Sequence, residues 1–169
     1  MADFGEDSTA SGPRTQYLKD YQPPAYLVED IALRFELDPA ATRVTSRLTV
    51  KRNRAAQASD QPLQLEGQEL ELTALRVDGI ALTENEYQVE EGKLVLEDLP
   101  DNVTLEIETV IHPDRNTALE GLYVSGDMFC TQCEAEGFRR ITFFPDRPDV
   151  MARYTTTLVA DRNRYPVLL

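Results

Sequence analysis

Between Asn116 and Val150 the chain gathers the residue types that could do chemistry: both cysteines as Cys130-x-x-Cys133, a Gln132-x-Glu134 pair, and an Asp146-Arg147-Pro148-Asp149 corner preceded by Arg139 and Arg140. A Cys-x-x-Cys pair can hold zinc as thiolates or exchange a disulfide. Tetrahedral zinc takes four ligands, though, and here there is one such pair and one distant histidine, His112. A thioredoxin-like pair belongs at a helix start in a βαβ unit, whereas the upstream sequence reads as antiparallel β. The pattern favours small, partly buried structural thiols, with redox or metal roles as the alternatives. His112, placed before Pro113 at a strand end, lacks the orienting partner that a catalytic imidazole needs and reads as a loop residue. Glu66, Glu69 and Glu71 read as a solvated acidic face. Arg139, Arg140 and Arg147, near Asp146 and Asp149, read as ion pairs fixing the corner. Gln132 and Glu134 lie two apart, so in an extended segment both side chains point the same way. Taken alone, a loop glutamate is ordinarily solvated.

These residues need a frame, and the segments before them supply one of period two. Ile31, Leu33, Phe35 and Leu37 alternate with Ala32, Arg34 and Glu36; Val44, Ser46, Leu48 and Val50 alternate with Arg43, Thr45, Arg47, Thr49 and Lys51. Such alternation marks strands with one buried and one wet face. Asp38-Pro-Ala-Ala-Thr42 is the turn between them. Leu70 and Leu72 are out of phase with Leu75 and Val77, which predicts a bulge or break near Thr73-Ala74. Asp78-Gly79 and Glu91-Gly92 read as hairpin turns, and Val103, Leu105, Ile107, Thr109 and Ile111 as the longest clean strand. Phe138, Ile141 and Phe144 recur at a spacing that suits a helical turn and also permits a strand. Asp146 before Pro148 could cap a further short turn. Tyr154, Thr156, Leu158 and Ala160 predict a last strand.

Composition narrows the function classes. With 169 residues, 41% hydrophobic and 28% charged, the chain reads as one soluble domain, able to bury on the order of 70% of its unfolded surface. A formal charge of −13 argues against nucleic acid and anionic membrane surfaces as partners. No run approaches the ~20 apolar residues of a membrane span. The first fourteen residues, MADFGEDSTASGPR, lack the basic and apolar regions of a signal peptide. The expected location is therefore cytoplasmic, with both cysteines as free thiols. Residues 1–15 read as a disordered tail or expression remnant. Residues 16–169 read as the β-rich domain, and the apolar Tyr165-Pro-Val-Leu-Leu169 suggests a domain truncated at its C-terminal end.

The segments Asn116-Thr-Ala-Leu-Glu-Gly-Leu-Tyr123, Cys130-Thr-Gln-Cys-Glu-Ala-Glu-Gly-Phe-Arg139 and Asp146-Arg-Pro-Asp149, with the opening Tyr17-Leu-Lys-Asp-Tyr21 and Pro24-Ala-Tyr26, carry a resemblance. From about Tyr17 onward the chain resembles the N-terminal domain of the zinc-dependent aminopeptidase N family, in its bacterial branch. Much of the wider family has Asp-Glu-Pro where Asp146-Arg147-Pro148 stands here. The resemblance implies an all-β, mainly antiparallel sandwich or saddle, with one or two short helical turns near 135–153. It implies that the Gln132-x-Glu134 edge reaches into an active-site cleft, where Glu134 binds the substrate's free α-ammonium and Gln132 lines the first specificity pocket. It further implies removal of N-terminal residues from peptides, with Zn2+ polarising the carbonyl and a glutamate of the catalytic domain activating water.

That zinc site uses His-Glu-x-x-His and a downstream glutamate, and neither it nor the family's Gly-x-Met-Glu-Asn stretch occurs in these residues. No catalytic residue and no metal ligand is therefore expected in this chain. Its expected partners are peptides with a free N-terminus and the catalytic domain of the same polypeptide. The rival is a stand-alone β-sandwich interaction module using its sheet edge or acidic face.

Overall fold

Alternation at period two becomes a large sheet with one dry face. The computed structural model describes residues 17–56 and 61–167; the expectation of a tail over residues 1–15 lies outside them. Strands β1 (Tyr26–Glu36), β2 (Thr42–Arg52) and β8 (Asn102–Ile111) form the centre of a six-stranded sheet ordered β11-β1-β2-β8-β4-β5, where β4 is Glu71–Val77, β5 Ile80–Ala81 and β11 Arg153–Val159. Val44, Leu48, Val50, Leu105 and Ile107 are fully buried on its inner face, with Arg43, Arg47 and Lys51 outside. In β1 the buried positions step from Val28 to Ile31 because the register shifts between Val28 and Asp30. The predicted slip in β4 is there as well, between Leu72 and Ala74.

A second layer covers that face. It comprises the three-stranded sheet β3-β7-β6 (Leu63–Glu66, Lys93–Leu96 and Gln88–Glu90) and the hairpin of β9 (Gly121–Ser125) and β10 (Met128–Gln132). Leu63, Leu65, Leu94 and Leu96 join the large sheet's inner residues in one core with Leu122, Ile141, Phe143 and Phe144. This is the expected all-β sandwich. The turns take the conformations their sequences ask for, with positive φ at Asp78 (50°), Gly79 (81°), Glu91 (48°) and Gly92 (78°).

Two features settle what the sequence reading left open. β11 pairs with β1 in parallel, Ile31 opposite Tyr154 and Phe35 opposite Leu158, in an otherwise antiparallel sheet. Alternation alone is the same for both directions, so it could not have told them apart. β11 is also an edge strand whose residues are all exposed. Between 135 and 153 one 3-10 turn forms, Phe138–Arg140, as the expected one or two short helical turns allow. The further turn at Asp146 does not become helical, because that carboxylate accepts hydrogen bonds from Arg139 instead.

Candidate functional site

The Gln132–Glu134 edge is positioned by the β9–β10 hairpin and the turn that follows it. Gln132 is the last residue of β10 and lies opposite Gly121. At Cys133 the chain leaves the sheet, turns through 134–137 and enters the 3-10 turn. Glu134 thus lies in a turn and not in a strand, so the strand alternation that would set its direction does not carry through to it. What joins the pair is a local bracket: Gln132 Oε1 accepts the Glu134 N–H at 3.2 Å, and the Gly137 N–H donates to the Cys133 carbonyl at 2.9 Å. The Glu134–Ala135 peptide is cis. Gln132 and Glu134 are both exposed. Among the described residues, no side chain pairs with the Glu134 carboxylate. An unpaired, solvent-facing carboxylate on a closed turn is a ready acceptor for a cation with several N–H donors.

Salt bridges and core contacts hold that turn to the body of the domain. Arg139 donates from its backbone N–H and Nε to Asp146 Oδ2, both at 3.1 Å, and from Nη2 to the Asp146 carbonyl at 3.0 Å. The Asp146 N–H in turn donates to Glu66 Oε2 at 3.1 Å. Arg140, its side chain only 9% exposed, bridges Glu69 at 2.7 Å and Glu120 at 3.1 Å. Glu66 and Glu69 are therefore part of the brace and not simply a solvated face. Of the three arginines expected to pair at the corner, Arg139 pairs with Asp146 and Arg147 with Asp149, while Arg140 reaches away from it. Just beyond the 3-10 turn, Ile141 and Thr142 are pinned to the large sheet. The buried Thr109 hydroxyl donates to the Ile141 carbonyl at 3.1 Å, and the Ser46 and Thr142 hydroxyls meet at 2.8 Å.

At the corner, Arg147 holds the Asp149 carboxyl below the usual range, helped by the Tyr21 hydroxyl, which donates to it at 2.9 Å. The sequence reading did not single out Tyr21 for this contact, Glu120 for the brace or Gly137 for the turn.

The cysteines are free and half-buried. Burial, and then the Asp146 carboxylate, push the Cys133 thiol up from its ordinary value. That is opposite to the depressed pKa of reactive and metal-binding thiols. Among the described residues no three His, Cys, Asp or Glu side chains group so as to hold a metal. His112 turns its Nδ1 to the Ala40 carbonyl. The described residues thus present no ligand set that fits a zinc ion. Thiol titration of reduced protein after denaturation is expected to give close to two equivalents per chain. In the folded protein, Cys133 is expected to alkylate more slowly at neutral pH than a free thiol, because less of it is thiolate; rapid labelling near pH 7 would contradict the structure.

Strand β11 leaves a further feature. Its Tyr154 and Leu158 border an open, largely apolar groove of ≈360 Å3 whose other walls include Leu33, Phe35, Phe129 and Phe138. Tyr165 packs against Phe129 with ring centroids 5.1 Å apart and the ring planes tilted by 52°.

The chain is similar in sequence and in fold to known proteins. Aminopeptidase N of Escherichia coli is 48% identical over 157 residues, which is 93% of this chain and 18% of that protein. The chain thus spans less than a fifth of that relative's length. The crystal structure of Legionella pneumophila aminopeptidase A in complex with aspartic acid superposes with a TM-score of 0.84 at 34% identity, over 91% of this chain and 18% of that one. An M1 zinc metallopeptidase from Deinococcus radiodurans, solved with a Tyr-Ser-Ala substrate, shares the fold alone: TM-score 0.62 at 17% identity, over 80% of this chain and 33% of that one. The peptidase M1 N-terminal domain matches residues 20–168, and the chain belongs to that family.

Proposed function

We propose that this chain is the N-terminal domain of a bacterial-type zinc aminopeptidase that removes N-terminal residues from peptides. On this reading the domain forms one wall of the active-site cleft. Glu134 anchors the substrate's free α-ammonium and Gln132 lines the pocket for its first side chain. The observation that carries the reading is the Glu134 carboxylate, unpaired among the described residues and exposed on a turn bracketed by Gln132 and Gly137. An exopeptidase must tell a charged α-ammonium from the neutral amide of an internal residue. A fixed carboxylate does so by attracting the cation. The zinc and its ligands belong, on this reading, to the part of the parent protein outside this chain, and so does hydrolysis itself. The parent is proposed to be cytoplasmic; among the described residues no helix is long and apolar enough to cross a membrane.

The same reading has the domain continue past Leu169 and pack against the rest of its own polypeptide. The exposed edge of β11 and the apolar groove beside it support this, because an open strand edge and a large apolar cleft are ordinarily covered. The relatives' greater length supplies the chain to do it.

The test is the parent protein. It is expected to hydrolyse aminoacyl anilides with a free amine, to lose that activity on chelation and to regain it with zinc. The 169-residue chain alone is expected to hydrolyse none of them and to hold no stoichiometric zinc. A parent inactive on free-amine substrates, or hydrolysis by the 169-residue chain with one tightly held zinc, would overturn the proposal.

A further inference from the structure

Gly137 has an ordinary backbone, φ −82° and ψ −13°, which any residue can adopt. Its dihedral angles do not call for glycine, but its surroundings do. A Cβ at this position would lie 2.5 Å from the Gln132 backbone oxygen, 3.1 Å from the Cys133 Cα and 3.1 Å from the Gly121 nitrogen. All three are main-chain atoms, so no rotamer change relieves the clash. Making room takes a main-chain shift, of the end of β10 and the start of the turn or of the Gly137 end of the turn away from them, and these are the residues that set where Glu134 stands. From the other side, Arg139 grips Asp146 through Nε and through its own N–H, fixing the exit of the same turn. Glu134 is thus held between a close main-chain approach at Gly137 and a charged clamp at Arg139.

We infer that Gly137 and Arg139 are positioning residues for Glu134, setting where its carboxylate stands and thereby the selectivity for substrates with a free α-ammonium. Neither is proposed to touch substrate. The inference rests on the reading of Glu134 as the ammonium anchor, and it goes beyond that reading by naming what aims it. A carboxylate held rigidly binds a cation at one place; the same carboxylate displaced by an ångström binds it out of register with the reacting bond. Misplacement on that scale can cost on the order of 10²-fold in rate.

The experiment uses the full-length parent enzyme with Gly137→Ala, Glu134→Ala and the double variant, assayed on an aminoacyl anilide, with zinc content and melting temperature measured alongside. Gly137→Ala is expected to lower kcat/KM roughly tenfold, with more of the loss in kcat than in KM and with zinc content unchanged. The double variant is expected to fall no further than Glu134→Ala alone, since an anchor that is absent cannot be mis-aimed. A purely structural glycine would give losses that multiply.

If Glu134→Ala is costly while Gly137→Ala is silent, or if the two losses multiply, the positioning role is overturned and the anchor stands. If Glu134→Ala is itself silent, the anchor reading falls and the inference falls with it. Should Gly137→Ala not accumulate as folded, zinc-loaded enzyme, Arg139→Lys decides. It keeps the charge but loses the fork that reaches Asp146. A loss absorbed by Glu134→Ala is expected, and full activity, or a loss that multiplies with it, would overturn the proposal.

Discussion

Glu134→Ala in the full-length parent enzyme is expected to cut kcat/KM on free-amine substrates by at least about tenfold while leaving zinc content and folding unchanged. A hydrogen bond to a charged group is worth ~1.5–3 kcal/mol, which corresponds to roughly 10- to 150-fold in kcat/KM. The lower end applies if water reaches the cleft. The upper end applies if the cleft is dry and the ammonium is left without a partner. Folding is expected to be indifferent because the Glu134 side chain is exposed and, among the described residues, unpaired. The bracket around it uses its backbone N–H, which alanine keeps. Glu136→Ala is the control. Its carboxylate lies 3.4 Å from Arg139 but is 67% exposed, and a pair that open to water contributes little. Near-normal kcat/KM for Glu134→Ala on several free-amine substrates would return Glu134 to an ordinary loop glutamate and the domain to a structural wall.

The large sheet was legible because its information is local. Alternation over Val44–Val50 and Val103–Ile111 named the buried positions directly. The phase slip between Leu72 and Leu75 located the bulge, since a one-residue shift must turn side chains to the other face. Asp78-Gly79 and Glu91-Gly92 named their turns through positive φ. What stayed hidden was relational. Nothing in the sequence around Tyr154 or Leu158 says that β11 will lie parallel to a strand formed some 120 residues earlier.

The candidate site was legible in part. Residue types marked Gln132, Glu134 and the Asp146–Asp149 corner, but the argument that aimed Glu134 assumed extended backbone, and the chain turns there instead. Asp146 looked like a helix cap because aspartate before a turn with proline often is one. Such local rules do not see a competing donor brought in by the fold. Here the competitor is Arg139, whose N–H and Nε both reach that carboxylate. Glu66 and Glu69 read as solvated because their partners, Asp146 and Arg140, are about 70 to 80 residues away in the chain. Gly137 carried no local signal at all, since its dihedral angles are ordinary and its role is set by main-chain atoms of Gln132, Cys133 and Gly121.

Leu48→Ala and Leu105→Ala are each expected to destabilise the 169-residue chain by about 3–4 kcal/mol, within the range for opening a cavity where a buried leucine stood. The two are cross-strand partners on the central strands β2 and β8, and both are fully buried. Each loses its transfer free energy and leaves a void between the two layers that strands paired on both sides cannot readily close. Domains have about 5–15 kcal/mol of stability in total, so either substitution removes a large share. At roughly 2–4 °C per kcal/mol for a chain of this size, the melting temperature is expected to fall by about 10 °C. The double variant is not expected to be additive, because the second truncation enlarges an existing cavity instead of opening a separate one. Ile80→Ala, at a side chain 70% exposed on the short edge strand β5, is expected to change stability by no more than about 0.5 kcal/mol. Urea denaturation of the unsubstituted 169-residue chain and these variants measures the free energies, and thermal denaturation the melting temperatures. Equal, small effects at Leu48, Leu105 and Ile80 would mean that the layers do not close over this pair, and the sandwich would be wrong at its centre.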